Sequence, residues 1–250
     1  MKMKTTMAAL GLVVGVLFAQ AMAAAEITVL SAGAIEPGLR AAAAAFERQT
    51  GHVVKISFAT APQIATRVGG GEACDVVIAP PAILEEFART GKVGERVTVG
   101  RVGLGVVVRP GAPVPDISNA EALKRSVLAA ESLVFNRAST GLYFETLLKN
   151  MGIYEQVAAK TTRYPDGASV LEHVLKGQGR EVGFGAITEI MLYRDKGLRL
   201  VGPLPAEVQN YTSYTAAPMT AAANAEVARG FVLHLGSPAS KALFAAAGIE

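Results

Sequence analysis

The chain has 250 residues, of which 51% are hydrophobic and 18% charged, so it can bury a sizeable core and is not a disordered chain. Its formal charge of +3 falls to +1 without Lys2 and Lys4, and it has no Lys/Arg run. The composition therefore excludes a nucleic-acid-binding footprint, and a single cysteine, Cys74, excludes an intramolecular disulfide.

The first 23 residues read as an export signal. Lys2 and Lys4 give a positive start, Met7 to Phe18 is an uncharged apolar run, and Ala21-Met22-Ala23 is a small-x-small cleavage pattern. That run is too short for the roughly 20 residues a membrane span needs. Cleavage near Ala23 leaves an exported chain of about 225 residues, with room for one large domain or two small ones.

After it, apolar runs alternate with helical patterns. Ile27–Leu30 is a predicted strand, Gly33-Ala34 a turn and Pro37–Gln49 a helix opened by proline and closed by Gly51. Val53–Phe58 is a strand, Gln63–Val68 a short helix and Asp75–Ala79 a strand, with Cys74 beside it as a buried, inert thiol. The helix Ala82–Arg89 follows. Gly69-Gly70-Gly71 comes after a helix rather than before one, so it is a cap and turn, not a phosphate loop.

The run Val102–Val108 breaks at Arg109-Pro110-Gly111-Ala112-Pro113, and a second series begins. It comprises a strand Leu133–Phe135, helices Gly141–Met151 and Ser169–Lys176, a strand Val182–Ala186, a helix Thr188–Arg194 and a strand Leu198–Val201. Pro203-Leu204-Pro205 is a rigid break, Tyr211–Ala217 is extended, and helices Ala221–Leu235 and Ser237–Ala247 end the chain. The alternation predicts α/β architecture, with parallel sheet covered by helices on both faces. We expect two lobes: 24–104 plus 209–250, and 105–208, crossing near Gly103 and Gln209.

Catalytic motifs are lacking: there is no H-E-x-x-H, G-x-S-x-G or P-loop, and nothing implies a cofactor or metal. The three histidines, His52, His173 and His234, are far apart in sequence and read as helix-face or surface residues. What recurs is a strand running into small or hydroxyl residues that open a helix: Gly33 and Ala34, Thr60 and Ala61, Ser139, Thr140 and Gly141, and Gly167 with Ser169. Helix starts expose unpaired N–H groups and the positive end of the macrodipole, so several converging on one crevice make an anion site. Ordinary capping by Thr60, Ser139, Thr140 and Ser169 is the alternative at each position.

These same segments carry a family likeness. Ile27 to Ala34, Ala45-Phe46-Glu47-Arg48-Gln49-Thr50-Gly51, Ile56 to Thr60, Cys74 to Ala79, Ala138 to Tyr143 and Gly202 to Gln209 resemble the periplasmic molybdate-binding proteins of ABC importers. The resemblance spans the whole exported chain. It implies a two-lobe type II periplasmic-binding fold, each lobe a mixed sheet flanked by helices, closing about a hinge over a small anion. It also implies a periplasmic monomer that serves an importer permease and binds no nucleic acid.

Carried over residue by residue, the ligand positions depart from that family's pattern. A loop serine falls at Ala34, a second at Thr60, an alanine at Thr140, a further contact at Gly167 and a tyrosine at Ala186. The pocket is then roomier than a tetrahedral oxyanion needs, which favours a small organic acid, with Arg67, Arg137 or Arg163 as possible carboxylate partners. Thr60 and Thr140 are expected to face each other across the crevice with their hydroxyls on the ligand. The alternative is an isomerase on the same scaffold, similar to aconitate isomerase, with His173 or Glu172 moving a proton.

Overall fold

The computed structural model describes residues 24–250, so the export-signal reading lies outside the described residues. Strand β1 (Glu26–Ala32) is apolar on both faces, as a central strand requires, and its last four residues are all buried. It pairs in parallel with β2 (Val53–Ala59) from Glu26↔Val53 to Ala32↔Ala59, and with β3 (Val76–Ala79). Between them run a 3₁₀ turn at Gly33–Ile35, helix α1 (Glu36–Thr50) and helix α2 (Ala61–Gly69); helix α3 (Pro81–Arg89) follows β3. Helix α1 stops where Gly51 adopts φ 74°, a left-handed conformation that glycine takes without a Cβ clash.

The second half repeats the plan. Helix α4 (Ala120–Ala129), β5 (Ser132–Asn136), α5 (Ser139–Asn150), α6 (Tyr154–Ala158), β6 (Thr161–Tyr164), α7 (Gly167–Lys176), β7 (Glu181–Ala186), α8 (Ile187–Leu192) and β8 (Arg199–Pro203) succeed one another. Strand β5 lies parallel to both β6 and β7.

The halves are joined by β4 (Val97–Val108), whose twelve residues pair with β9 (Tyr211–Pro218) through Gly103 and with β7 from Leu104 onward. Among the described residues the sheet order is β2-β1-β3-β9-β4-β7-β5-β6, with β8 on β4. The parallel expectation therefore holds for β1–β3 and β5–β7. The joining strands β4, β8 and β9 run antiparallel, giving a mixed sheet. Helix α4, helix α6 and edge strand β6 were not predicted.

Helices α9 (Ala225–Leu235) and α10 (Pro238–Ala246) return to the first half and pack on α1. A Cβ at Gly38 would stand 2.4 Å from Phe244 Cδ1, so this glycine sets the approach of α10. Helix α9 begins four residues later than predicted because the amides of Ala223 and Asn224 bond Asp75 Oδ1 at 2.8 and 3.4 Å. Burial opposes the Asp75 charge, but hydrogen bonds from Thr28, Asn224 and Ala223 outweigh it and hold the carboxyl below its usual range. One carboxylate thus ties β1 to the returning chain.

The core is divided. Ile27, Leu30, Ile35, Leu39, Ile78, Phe231 and Phe244 fill the first half. In the second half Phe144 stacks on Phe184 at 3.7 Å between centroids, and Val134, Val170 and Leu171 cover the other sheet face. Cys74 is buried, and that burial pushes its thiol up to about 11.

Candidate functional site

A cavity of about 270 Å³ opens where β1, β2, β5, β6 and β7 end and their helices begin. In open α/β sheets ligands sit beyond the strand C-termini, because the helix starts converge there. Gly33, Ala34, Thr60, Ala61, Ser139, Thr140, Gly167 and Ala186 all line it, joined by Glu36, Gln63, Asn136, Asp166, Glu189 and Tyr214 among others.

Four helices of nine residues or more have their first residue in this lining: α1, which continues from the Gly33–Ile35 turn, and α2, α5 and α7. Their first amides are engaged only in part. Thr60 N–H donates to Gln63 Oε1 at 2.8 Å, and Ser169 N–H to Asp166 Oδ1 at 2.8 Å. At α5 the Asn136 Oδ1 accepts from Ala138 N–H and Gly141 N–H, both at 3.0 Å. The amides of Ala61, Ser139, Thr140, Gly167 and Ala168 have no partner among the described residues, and helix first-turn amides find none inside their own helix.

Gly141 does not belong to the lining. Its N–H is taken by Asn136, and a Cβ there would stand 1.8 Å from the Asn136 carbonyl oxygen, so its role is to let α5 close onto β5. The Thr140 hydroxyl is also engaged within its own half. It accepts from Asn136 Nδ2 at 3.0 Å and lies 3.3 Å from Asn136 Oδ1. Thr60 and Thr140 both line the cavity, but Thr140 is held by Asn136.

The arginines do not reach the cavity. Arg67 forks onto Glu72, Arg137 is exposed, and Arg163 is occupied by Glu145 and the Asn136 carbonyl oxygen. His173 and Glu172 line a separate surface groove. There His173 Nδ1 meets the Tyr164 hydroxyl at 2.8 Å, and Glu172 pairs with Lys176 and Lys196, so neither is placed to move a proton in the main cavity. The other histidines also have local partners: Ala25 N–H donates to His52 Nδ1, and His234 Nε2 meets the Ala42 carbonyl oxygen. No group of three His, Cys, Asp or Glu among the described residues is placed to hold a metal ion.

The feature that the sequence reading missed is Glu189. Among the described residues no Lys, Arg or His lines the cavity, whereas Glu36, Asp166 and Glu189 do. Glu36 is paired with Arg40 at 2.7 Å, and Asp166 caps α7. Glu189 accepts no hydrogen bond from a described protein group, and its carboxyl is seated between the two glycine loops. A Cβ at Gly33 would lie 3.1 Å from Oε1, and one at Gly167 only 2.3 Å from Oε2. Glu189 is partly exposed and lines the cavity. Burial, then the nearby charges of Asp166 and Glu36, push it up to about 7. The neighbouring Thr188 hydroxyl donates to the Ala34 carbonyl oxygen, which binds the start of α8 to the first half.

A profile described as bacterial extracellular solute-binding protein matches residues 27–250. An aconitate isomerase from a Pseudomonas species is 32% identical over 228 residues, covering 87% of this chain and 85% of that protein. Among solved structures, the periplasmic molybdate-binding protein of Azotobacter vinelandii superposes with a TM-score of 0.74 at 19% identity, over 90% of this chain and 98% of that one. A sulfate-binding protein of Mycobacterium tuberculosis superposes with a TM-score of 0.72, also at 19% identity, over 90% and 86%. The chain belongs to the bacterial extracellular solute-binding protein family.

Proposed function

We propose that this solute-binding protein captures a small organic acid, a di- or tricarboxylate, in the periplasm and delivers it to an ABC importer. The observation that carries the reading is the cavity itself. Amides from three helix starts point positive dipole ends at it, while Ala34 and Ala186 leave it wide and Glu189 forms part of its floor. A compact, fully ionised oxyanion needs a full shell of donors, and each missing one leaves an unpaired charge-bearing oxygen. A polycarboxylate instead spreads its charges and reaches the helix starts of both halves at once.

On this reading residues 24–104 with 209–250, and 105–208, act as lobes that close about β4 and β9. The structural relatives named as molybdate- and sulfate-binding proteins support the fold. Mass spectrometry of ligand released from gently purified protein tests the reading: a di- or tricarboxylic acid is expected, and stoichiometric molybdate or sulfate contradicts it.

A second reading is favoured by the aconitate isomerase relative together with Glu189. The ionised carboxyl lifts a proton from a saturated carbon of the bound acid. The resulting carboxylic acid returns a proton to the far carbon of the adjacent double bond, which shifts the double bond with no further reactant. Proton NMR of trans-aconitate with the protein separates the two readings. Turnover to cis-aconitate supports the isomerase, and binding without conversion supports the receptor.

A further inference from the structure

We propose that Glu189 is itself a ligand-binding residue, acting in its acid form and donating its carboxylic O–H to a carboxylate oxygen of the bound organic acid. This rests on the organic-acid reading above in its receptor form; an isomerase would instead need Glu189 ionised in the complex.

Three observations carry it. The carboxyl sits between Gly33 and Gly167, one loop from each half, where any side chain at Gly167 would collide with it. It lines the same cavity as the free helix-start amides. Among the described residues no donor serves it and no cation lines the site, so as an anion in the cavity it would lack a partner, beside whatever charge the ligand brings.

The groups that face it add no relief. Glu36 of α1 and Asp166 at the start of α7 are the charged side chains acting on it among the described residues, and both disfavour its ionisation. Tyr214 of β9 lines the same cavity as a neutral phenol, and Tyr193, just after α8, is a second one; burial is the chief cause that raises both above their ordinary range. An anionic ligand adds to this repulsion, so the complex forms with Glu189 protonated. Carrying the proton then turns a repulsive oxygen into a donor. It also discriminates among ligands: an oxygen able to accept from a carboxylic acid is needed opposite Glu189.

Two consequences are measurable with trans-aconitate as the probe, whose carboxyls are ionised near neutrality. With the free carboxyl at about 7, affinity changes little between pH 5 and pH 6 and falls as pH rises further. Linkage predicts about tenfold weaker binding at pH 8 than at pH 6, and about a hundredfold at pH 9. Calorimetry at pH 8 in two buffers of different ionisation enthalpy should show uptake of close to one proton per ligand. Glu189→Gln, which keeps a donor and cannot ionise, should bind as at pH 6 across the range with no proton uptake.

The wild-type proton count decides the matter even if the variant folds poorly. Binding with no proton uptake and a flat pH profile overturns the role of Glu189 and leaves the organic-acid reading intact. Failure of trans-aconitate, citrate and smaller dicarboxylates to bind at any pH overturns the ligand reading, and this inference with it.

Discussion

At the scale of single residues, the polar side chains of the cavity differ in their partners: Asn136 has several, and Glu189 accepts from none among the described residues. Glu189 shows this in stability as well as in binding. Its carboxyl is at about 7 in the folded protein against an ordinary 4.5, so between those values the folded state binds more protons than the unfolded state. Stability therefore falls as pH rises through that window, and the penalty is fully present above it. The shift corresponds to at most ~3 kcal/mol, which is several degrees in Tm for a chain of this size. Glu189→Gln should raise Tm at pH 8 and leave it nearly unchanged at pH 4; an equal Tm at pH 8 means that the carboxyl is solvated. Thr140→Val is a different test. It leaves Asn136 Nδ2 buried without its 3.0 Å acceptor, so thermal unfolding of the free protein should show a loss of ~1–3 kcal/mol. That loss is the signature of a threonine that orders the α5 start rather than one whose hydroxyl serves only the ligand.

At the scale of elements, the strands and helices with strong periodicity were legible. Strand β1 is apolar on both faces, α1 has proline in its first turn and glycine past its end, and β7 is a short buried run. Strand β6 was not, because Thr161-Thr162-Arg163-Tyr164 is half-buried at the sheet edge and carries no apolar run. The antiparallel pairing of β4 with β9 was hidden for another reason: it joins segments about a hundred residues apart, and no local pattern encodes it. The strand-end rule named Gly33, Ala34, Thr60, Ala61, Ser139, Thr140 and Gly167, which line the cavity, and Gly141 and Ser169, which do not. Glu189 escaped it because a glutamate in a helix first turn reads as a partner of the helix dipole. Only the closeness of Gly33 and Gly167, which come from distant loops, shows that it faces the cavity. The packing of α10 on α1 gives a prediction at this scale. Gly38→Ala places a methyl 2.4 Å from Phe244, so chemical denaturation should report a loss of ~1–3 kcal/mol. Ligand affinity should be unchanged, since Gly38 is not part of the cavity lining; full native stability would mean that α10 shifts freely.

At the scale of the whole molecule, two α/β halves share one curled sheet, and a cavity opens where helix starts of both halves meet. On the reading proposed above, its helix-start dipoles suit an anion, whereas the small side chains of Ala34 and Ala186 and the carboxyl of Glu189 disfavour a small, fully ionised one. The central claim is thus about ligand class. A ligand that binds only the folded state raises Tm by an amount that grows with the logarithm of its concentration over Kd. The most direct measurement is a thermal-shift panel at pH 6 with molybdate, tungstate, sulfate, phosphate, citrate and trans-aconitate. The account predicts its largest shift with a di- or tricarboxylate; a largest shift with micromolar molybdate would contradict it.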